Sequence, residues 1–130
     1  VSTRNRHDRE NIRRQLDRWF NEKAALLFAR KLDQLLTVFK DQGFSPGDIK
    51  VKHLESRWGS CSIKGRITLN SGLVKMDEKF SEYVILHELC HLKHHDHGKE
   101  FYRLLSCLMP DYKTIRNELK RYTSRQGSVL

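Results

Sequence analysis

No apolar run in this chain approaches the ~20 residues that a bilayer-spanning helix needs, so no membrane segment is expected. Cysteine is scarce and odd in number, with only Cys61, Cys90 and Cys107 present. Their wide spacing argues against a disulfide framework. Without a CxxC pair there is no cysteine zinc knuckle either. Thiols of this kind fit a reducing compartment, and a cytoplasmic protein is expected. The stretch Val1 to Arg14 is polar and shows no apolar core of a signal peptide. Internal repeats and low-complexity tracts are missing as well. Negative charge is in short supply: 16 acidic residues stand against 25 lysines and arginines, for a formal net charge of +9. Such a field favours acidic partners, nucleic acid included, without naming one.

What is present reads as one soluble domain, residues 1–130, with 38% hydrophobic and 32% charged residues. From Glu10 to Phe39 apolar residues recur with a helical period: Ile12, Leu16, Trp19, Phe20, Ala24, Leu27, Leu35 and Val38. Basic residues lie between them, as on one or two amphipathic helices with a solvated face. Gln42-Gly43 and Ser45-Pro46-Gly47-Asp48 then break the pattern. Ile49 and Val51 alternate with Lys50 and Lys52 as in a half-buried strand. A second strand is expected over Ser56 to Ile63, a turn at Lys64-Gly65, and a third strand over Arg66 to Asn70. Asp77 or Ser81 can cap the next helix, which should run from about Glu78 to about His94. A last helical region, from about Lys99 to Tyr122, should break near Met109-Pro110. The class is α+β: an N-terminal helical segment over 1–47, then a small antiparallel sheet, a central helix and C-terminal helices over 48–130.

Five of the seven histidines fall between His87 and His97, and among them stands His87-Glu88-Leu89-Cys90-His91. Two histidines four residues apart share one helix face, about 6 Å apart along its axis. Their imidazoles can converge on one ion at about 2.0–2.1 Å. Glu88 is turned about 100° from His87. That places it badly for ligation but well for reaching a water at the ion, as a general base must. On the same helix Phe80, Val84, His87 and His91 share one face, and Ile85, Leu89 and Leu92 the other. Apolar residues on both sides predict a buried helix, where His and Glu need partners. A catalytic zinc usually takes three protein ligands. His94, His95 and His97 compete for the third place. His94 lies a full turn beyond His91, whereas the Asp96-His97-Gly98 stretch can fold back, which favours His97.

These residues resemble the YgjP-like metallopeptidases, a group related to SprT-like and WLM-type proteins. The resemblance rests on Arg57-Trp58-Gly59-Ser60-Cys61, Gly65-Arg66-Ile67-Thr68-Leu69-Asn70 and the run from Tyr83 to Leu92. It continues through His97-Gly98-Lys99-Glu100-Phe101 and Met109-Pro110-Asp111-Tyr112-Lys113. It covers roughly Lys52 to Tyr122 and implies a zincin-like fold with a central active-site helix. It also implies Zn2+ held by His87, His91 and His97, with Glu88 as the catalytic residue. Ser71, Asp77 and Tyr102 depart from the family's usual aromatic, proline and tryptophan. These departures bear on substrate fit rather than on the ligands. The N-terminal β-rich region of many relatives is not visible in this sequence.

The expected activity is hydrolysis of peptide bonds in a peptide or protein substrate by a metal-activated water, with Glu88 as general base. Arg57 and Tyr112 are candidates for a second oxyanion donor. An extended substrate could pair with the Trp58 to Ile63 strand. Trp58, Phe101 and Met109 read as core, and Cys61 and Cys90 as small buried hydrophobes. Two rivals stand beside this reading. A DNA-associated SprT-like protease would suit the +9 charge and would show salt-dependent DNA binding. A non-catalytic zinc-stabilised module would fill four protein positions around the metal.

Overall fold

The computed structural model describes residues 2–123, with side chains from 6 to 122. The chain begins with helix α1 (Ser2–Val38), followed by strands β1 (Ile49–Lys52), β2 (Gly59–Cys61) and β3 (Ile67–Asn70). Helices α2 (Glu78–Lys93), α3 (Lys99–Leu108) and α4 (Tyr112–Thr123) complete it, with short 3-10 turns at Lys40–Gln42 and Ser71–Lys75. The α+β class and the order of elements match the expectation. The Pro110 break separates α3 from α4, because proline cannot continue the backbone ladder of a helix.

The sheet differs from the expected antiparallel one. Its order is β1-β3-β2. β2 and β3 form an antiparallel hairpin, with Cys61 opposite Ile67 and Gly59 opposite Leu69. β1 lies on the far side of β3 and runs parallel to it, Ile49 opposite Ile67. The segment after β1 crosses to the other edge of the sheet before β2 begins, so sequence neighbours are not sheet neighbours. The hairpin closes through Gly65, whose φ of 84° suits glycine and whose N–H donates to the Ser62 carbonyl at 2.9 Å. β2 is shorter than the expected Ser56 to Ile63. The residues before it form an irregular loop, which the buried Asn70 secures. The Asn70 amide donates to the Leu54 and Arg57 carbonyls, both at 2.8 Å, and its oxygen accepts from Gly72 N–H at 3.0 Å.

Helix α2 runs through the middle of the molecule, capped by Asp77, whose carboxylate accepts from Lys79 N–H. From Phe80 to Cys90 every residue except Glu82 is buried, as the two apolar faces predicted. β2, β3, α1, α3 and α4 all pack against α2. Helix α1 forms one continuous element, but its buried stripe is Ala24, Phe28, Leu32 and Leu35. Of the periodic set expected to bury, Ile12, Leu16, Trp19, Leu27 and Val38 stay exposed. Every residue from 6 to 19 is exposed, so among the described residues the first half of α1 has no neighbour that buries its apolar side chains. Lys31 ties the second half to the start of α2 through Glu82 at 3.0 Å and Glu78 at 3.4 Å.

Candidate metal centre

His87 and His91 occupy successive turns of α2, and His97 comes back to them from the loop before α3. One ring nitrogen from each lies within 4.8 Å of the others. The Nε2 atoms of His91 and His97 are 2.9 Å apart. Donors around a tetrahedral zinc with Zn–N bonds of about 2.0–2.1 Å stand about 3.4 Å from one another. The cluster is therefore already on the scale of one ion. Neutral imidazoles that turn unprotonated nitrogens toward each other repel unless a proton or a cation lies between them. The donor set fits a divalent cation.

A hydrogen bond and the packing of one ring hold the imidazoles in place. Nδ1 of His91 donates to the His94 carbonyl at 3.2 Å, which leaves its Nε2 free to ligate. Phe101, fully buried on α3, packs its ring 4.9, 4.5 and 5.0 Å from the rings of His87, His91 and His97. His87 is itself buried, and its Nδ1 has no hydrogen-bond partner among the described residues. That atom lies 3.4 Å from Glu88 Oε2, a close contact of a neutral ring rather than an ion pair. Burial, with the nearby Arg116 charge, pushes the His87 imidazolium down to about 4. Burial also lowers His91 and His97. Burial thus favours the neutral, ligating form of all three rings.

Of the rivals for the third position, only His97 joins the cluster. His94 ends α2 and contributes its carbonyl, while His95 lines the surrounding cavity. The turn that returns His97 does not need the glycine after it. Gly98 has φ −93° and ψ −168°, an extended conformation open to any residue, with open space where a Cβ would stand. The packing of Phe101, four residues on, accounts for the return instead.

Glu88 is 1% exposed and lines the same cavity, an open space of about 430 Å³. Burial raises its carboxyl to about 7, against the opposing pull of His91, His97 and Arg57. The opposite wall is β2 with the loop before it: Arg57, Gly59, Ser60 and Cys61. Gly59 is a close-packing position at the cavity that its sequence motif did not single out. A Cβ there would come within 2.8 Å of Val84 Cγ1 and 3.2 Å of Glu88 Oε2. Only a bare backbone lets β2 lie this close to α2, and an isolated glycine inside a strand is the signal for such an approach. Asn70 and Phe101 were likewise read only as strand end and core. Trp58 and Cys90 are buried as expected, whereas Cys61 is half-buried and faces the cavity. Arg57 lines this cavity, but Tyr112 lines a separate groove.

A family model for the YgjP-like metallopeptidase domain matches residues 1–122. The chain belongs to the YgjP-like metallopeptidase family. The match takes in helix α1, well beyond the Lys52 to Tyr122 stretch that carried the resemblance in sequence. No curated protein matches this YgjP-like chain significantly. Among solved structures it is similar to the metallopeptidase zymogen of Pyrococcus abyssi abylysin, at 26% identity and a TM-score of 0.62. That alignment covers 72% of this chain and 95% of the other. It is similar in fold to the zymogen of Methanocaldococcus jannaschii jannalysin, with 24% identity, TM-score 0.61, and 73% and 95% coverage. Among the described residues of the YgjP-like domain, no helix is long and apolar enough to cross a membrane.

Proposed function

We propose that the chain is a zinc-dependent peptidase in which His87, His91 and His97 hold the metal and Glu88 is the general base. One observation carries this reading: three neutral imidazoles converge within 4.8 Å on the wall of a cavity that a buried glutamate shares. Imidazole donors favour zinc among the abundant divalent ions. When bound, the ion supplies a Lewis acid that polarises the scissile carbonyl and lowers the pKa of a water.

The remaining steps belong to the chain's own residues. Glu88, raised to about 7 by burial, is matched to accepting a proton from the attacking water and returning it to the leaving amine. Phe101 and the His94 carbonyl keep the imidazoles oriented. Arg57, which lines the cavity, is the candidate second donor to the developing oxyanion. β2 is an edge strand, hydrogen-bonded on one side only to β3. Its free edge borders the cavity, so an extended peptide can add there as a further strand.

A zinc site that merely staples the fold would need a fourth protein donor. Among the described residues the cluster has three members. Free cysteines accord with a cytoplasmic setting. The decisive variant is Glu88→Gln. Zinc content by elemental analysis should stay at the wild-type level, while peptide hydrolysis falls by about a hundredfold or more. Undiminished hydrolysis would remove Glu88 from the chemistry.

A further inference from the structure

Beyond His97 lies a second open groove, of about 830 Å³, between α3 and the start of α4. His97 lines both spaces, so the groove adjoins the candidate metal centre. Three cations line it: Lys99 and Arg103 from α3, and Lys113 from α4. Tyr102 and Tyr112 form an aromatic wall, with ring centroids 6.0 Å apart and an interplanar angle of 22°. Glu100 pairs with Arg103 at 3.1 Å and offsets part of its charge. Lys99 and Lys113 have no ion-pair partner among the described residues. Asp96 and Asp111 are near in sequence, but neither lines the groove.

We infer that this groove is a substrate subsite that binds a peptide carboxylate, and that the enzyme prefers acidic peptides on one side of the scissile bond. The inference rests on the peptidase reading and names its substrate class. Because His97 lines both spaces, a peptide paired along β2 and crossing the metal centre can leave past His97, into the space that the lysines line. Two unpaired lysines beside an aromatic wall match a carboxylate and the alkyl stem of an acidic side chain. The carboxylate could be that of a Glu or Asp side chain or that of the peptide's C-terminus, and substrates can separate the two.

The test uses the zinc-loaded full chain and one neutral reference peptide. Glutamate is placed at each position on either side of the cleaved bond, and each peptide is made with a free and an amidated C-terminus. At low salt, glutamate on one side should raise kcat/KM by about tenfold, the scale of two or three exposed ion pairs, through KM rather than kcat. A glutamate gain that survives amidation assigns the site to side chains, and a neutral peptide cleaved faster as free acid than as amide assigns it to the C-terminus. Lys99→Glu combined with Lys113→Glu should invert the ratio of acidic to lysine-bearing peptide. Binding provides a readout independent of turnover. Calorimetry on zinc-loaded Glu88→Gln should show the acidic peptide binding about tenfold tighter than the neutral one, with the difference screened by salt. An active enzyme with equal kcat/KM for acidic, neutral and lysine-bearing peptides, whether free or amidated at the C-terminus, overturns the subsite and leaves the peptidase reading standing. If no peptide is cleaved, the peptidase reading fails, and equal binding of acidic, neutral and amidated peptides overturns the subsite on its own. Binding of duplex DNA that depends on Lys99 and Lys113, with no preference among peptides, also overturns it.

Discussion

Helices α1 and α2 carry apolar residues at the same helical spacing, yet the molecule uses them in opposite ways. From Phe80 to Cys90, α2 is buried on nearly every side, and His87 of the histidine cluster is a core residue as well. In α1 every residue from 6 to 19 is exposed, and Ile12, Leu16 and Trp19 meet no core. Period alone identifies a helix. What else the fold brings alongside decides whether a given stripe is buried. The site sits on the element with the most neighbours, because orienting three imidazoles and a carboxylate requires packing from several directions.

Core truncation exposes this contrast most strongly. Leu89→Ala removes a fully buried side chain from the middle of α2 and should cost about 2–5 kcal/mol. Leu16→Ala, on the exposed half of α1, should stay within about 0.5 kcal/mol. Urea denaturation of the two variants measures both. Comparable losses would show that Leu16 is buried in solution, against the assembly described above.

A subtler break is Gly59→Ala, which puts a methyl group between β2 and α2 at Val84 and Glu88. Overpacking of this kind should cost about 1–3 kcal/mol. Because the Glu88 carboxylate must move, kcat should fall while zinc content is retained. An alanine variant with wild-type kcat would mean that the close contact is not needed to place Glu88.

The smallest effect concerns protons. Without metal, Glu88 sits at about 7 and His87 at about 4. At pH 6 the carboxyl is mostly protonated and that imidazole mostly neutral. A divalent cation favours the carboxylate, so binding must expel the Glu88 proton. Apparent zinc affinity should therefore rise with pH up to about 7 and level off above it. Calorimetry at pH 6 in buffers of different ionisation enthalpy should count about one proton released. That count should drop in Glu88→Gln. An unchanged count would assign the proton to another group.

Much of the site was legible because it is local. His87, Glu88 and His91 lie within five residues on one helix, so helical geometry alone brings the two imidazoles together. His97 was favoured for its place in the sequence, but for a reason that does not hold. Gly98 adopts an ordinary extended conformation, and the anchoring of Phe101 beneath the three rings brings His97 back. Gly59, Asn70 and Phe101 act across long separations: one admits a strand, one pins a loop, one supports a ring cluster. Nothing in their immediate sequence states which partner they will meet. The parallel pairing of β1 was hidden for the same reason, since a four-residue alternation of apolar and polar residues carries no register or direction.

The sequence by itself determined the elements, the buried character of α2 and the two histidines and glutamate on it, because these follow from backbone periodicity and the spacing of neighbours. Only the tertiary structure decided which stripe of α1 is core, which edge of the sheet borders the cavity, and where the basic groove opens. Those outcomes depend on contacts between residues far apart in the chain, whose geometry exists only once the elements have packed together.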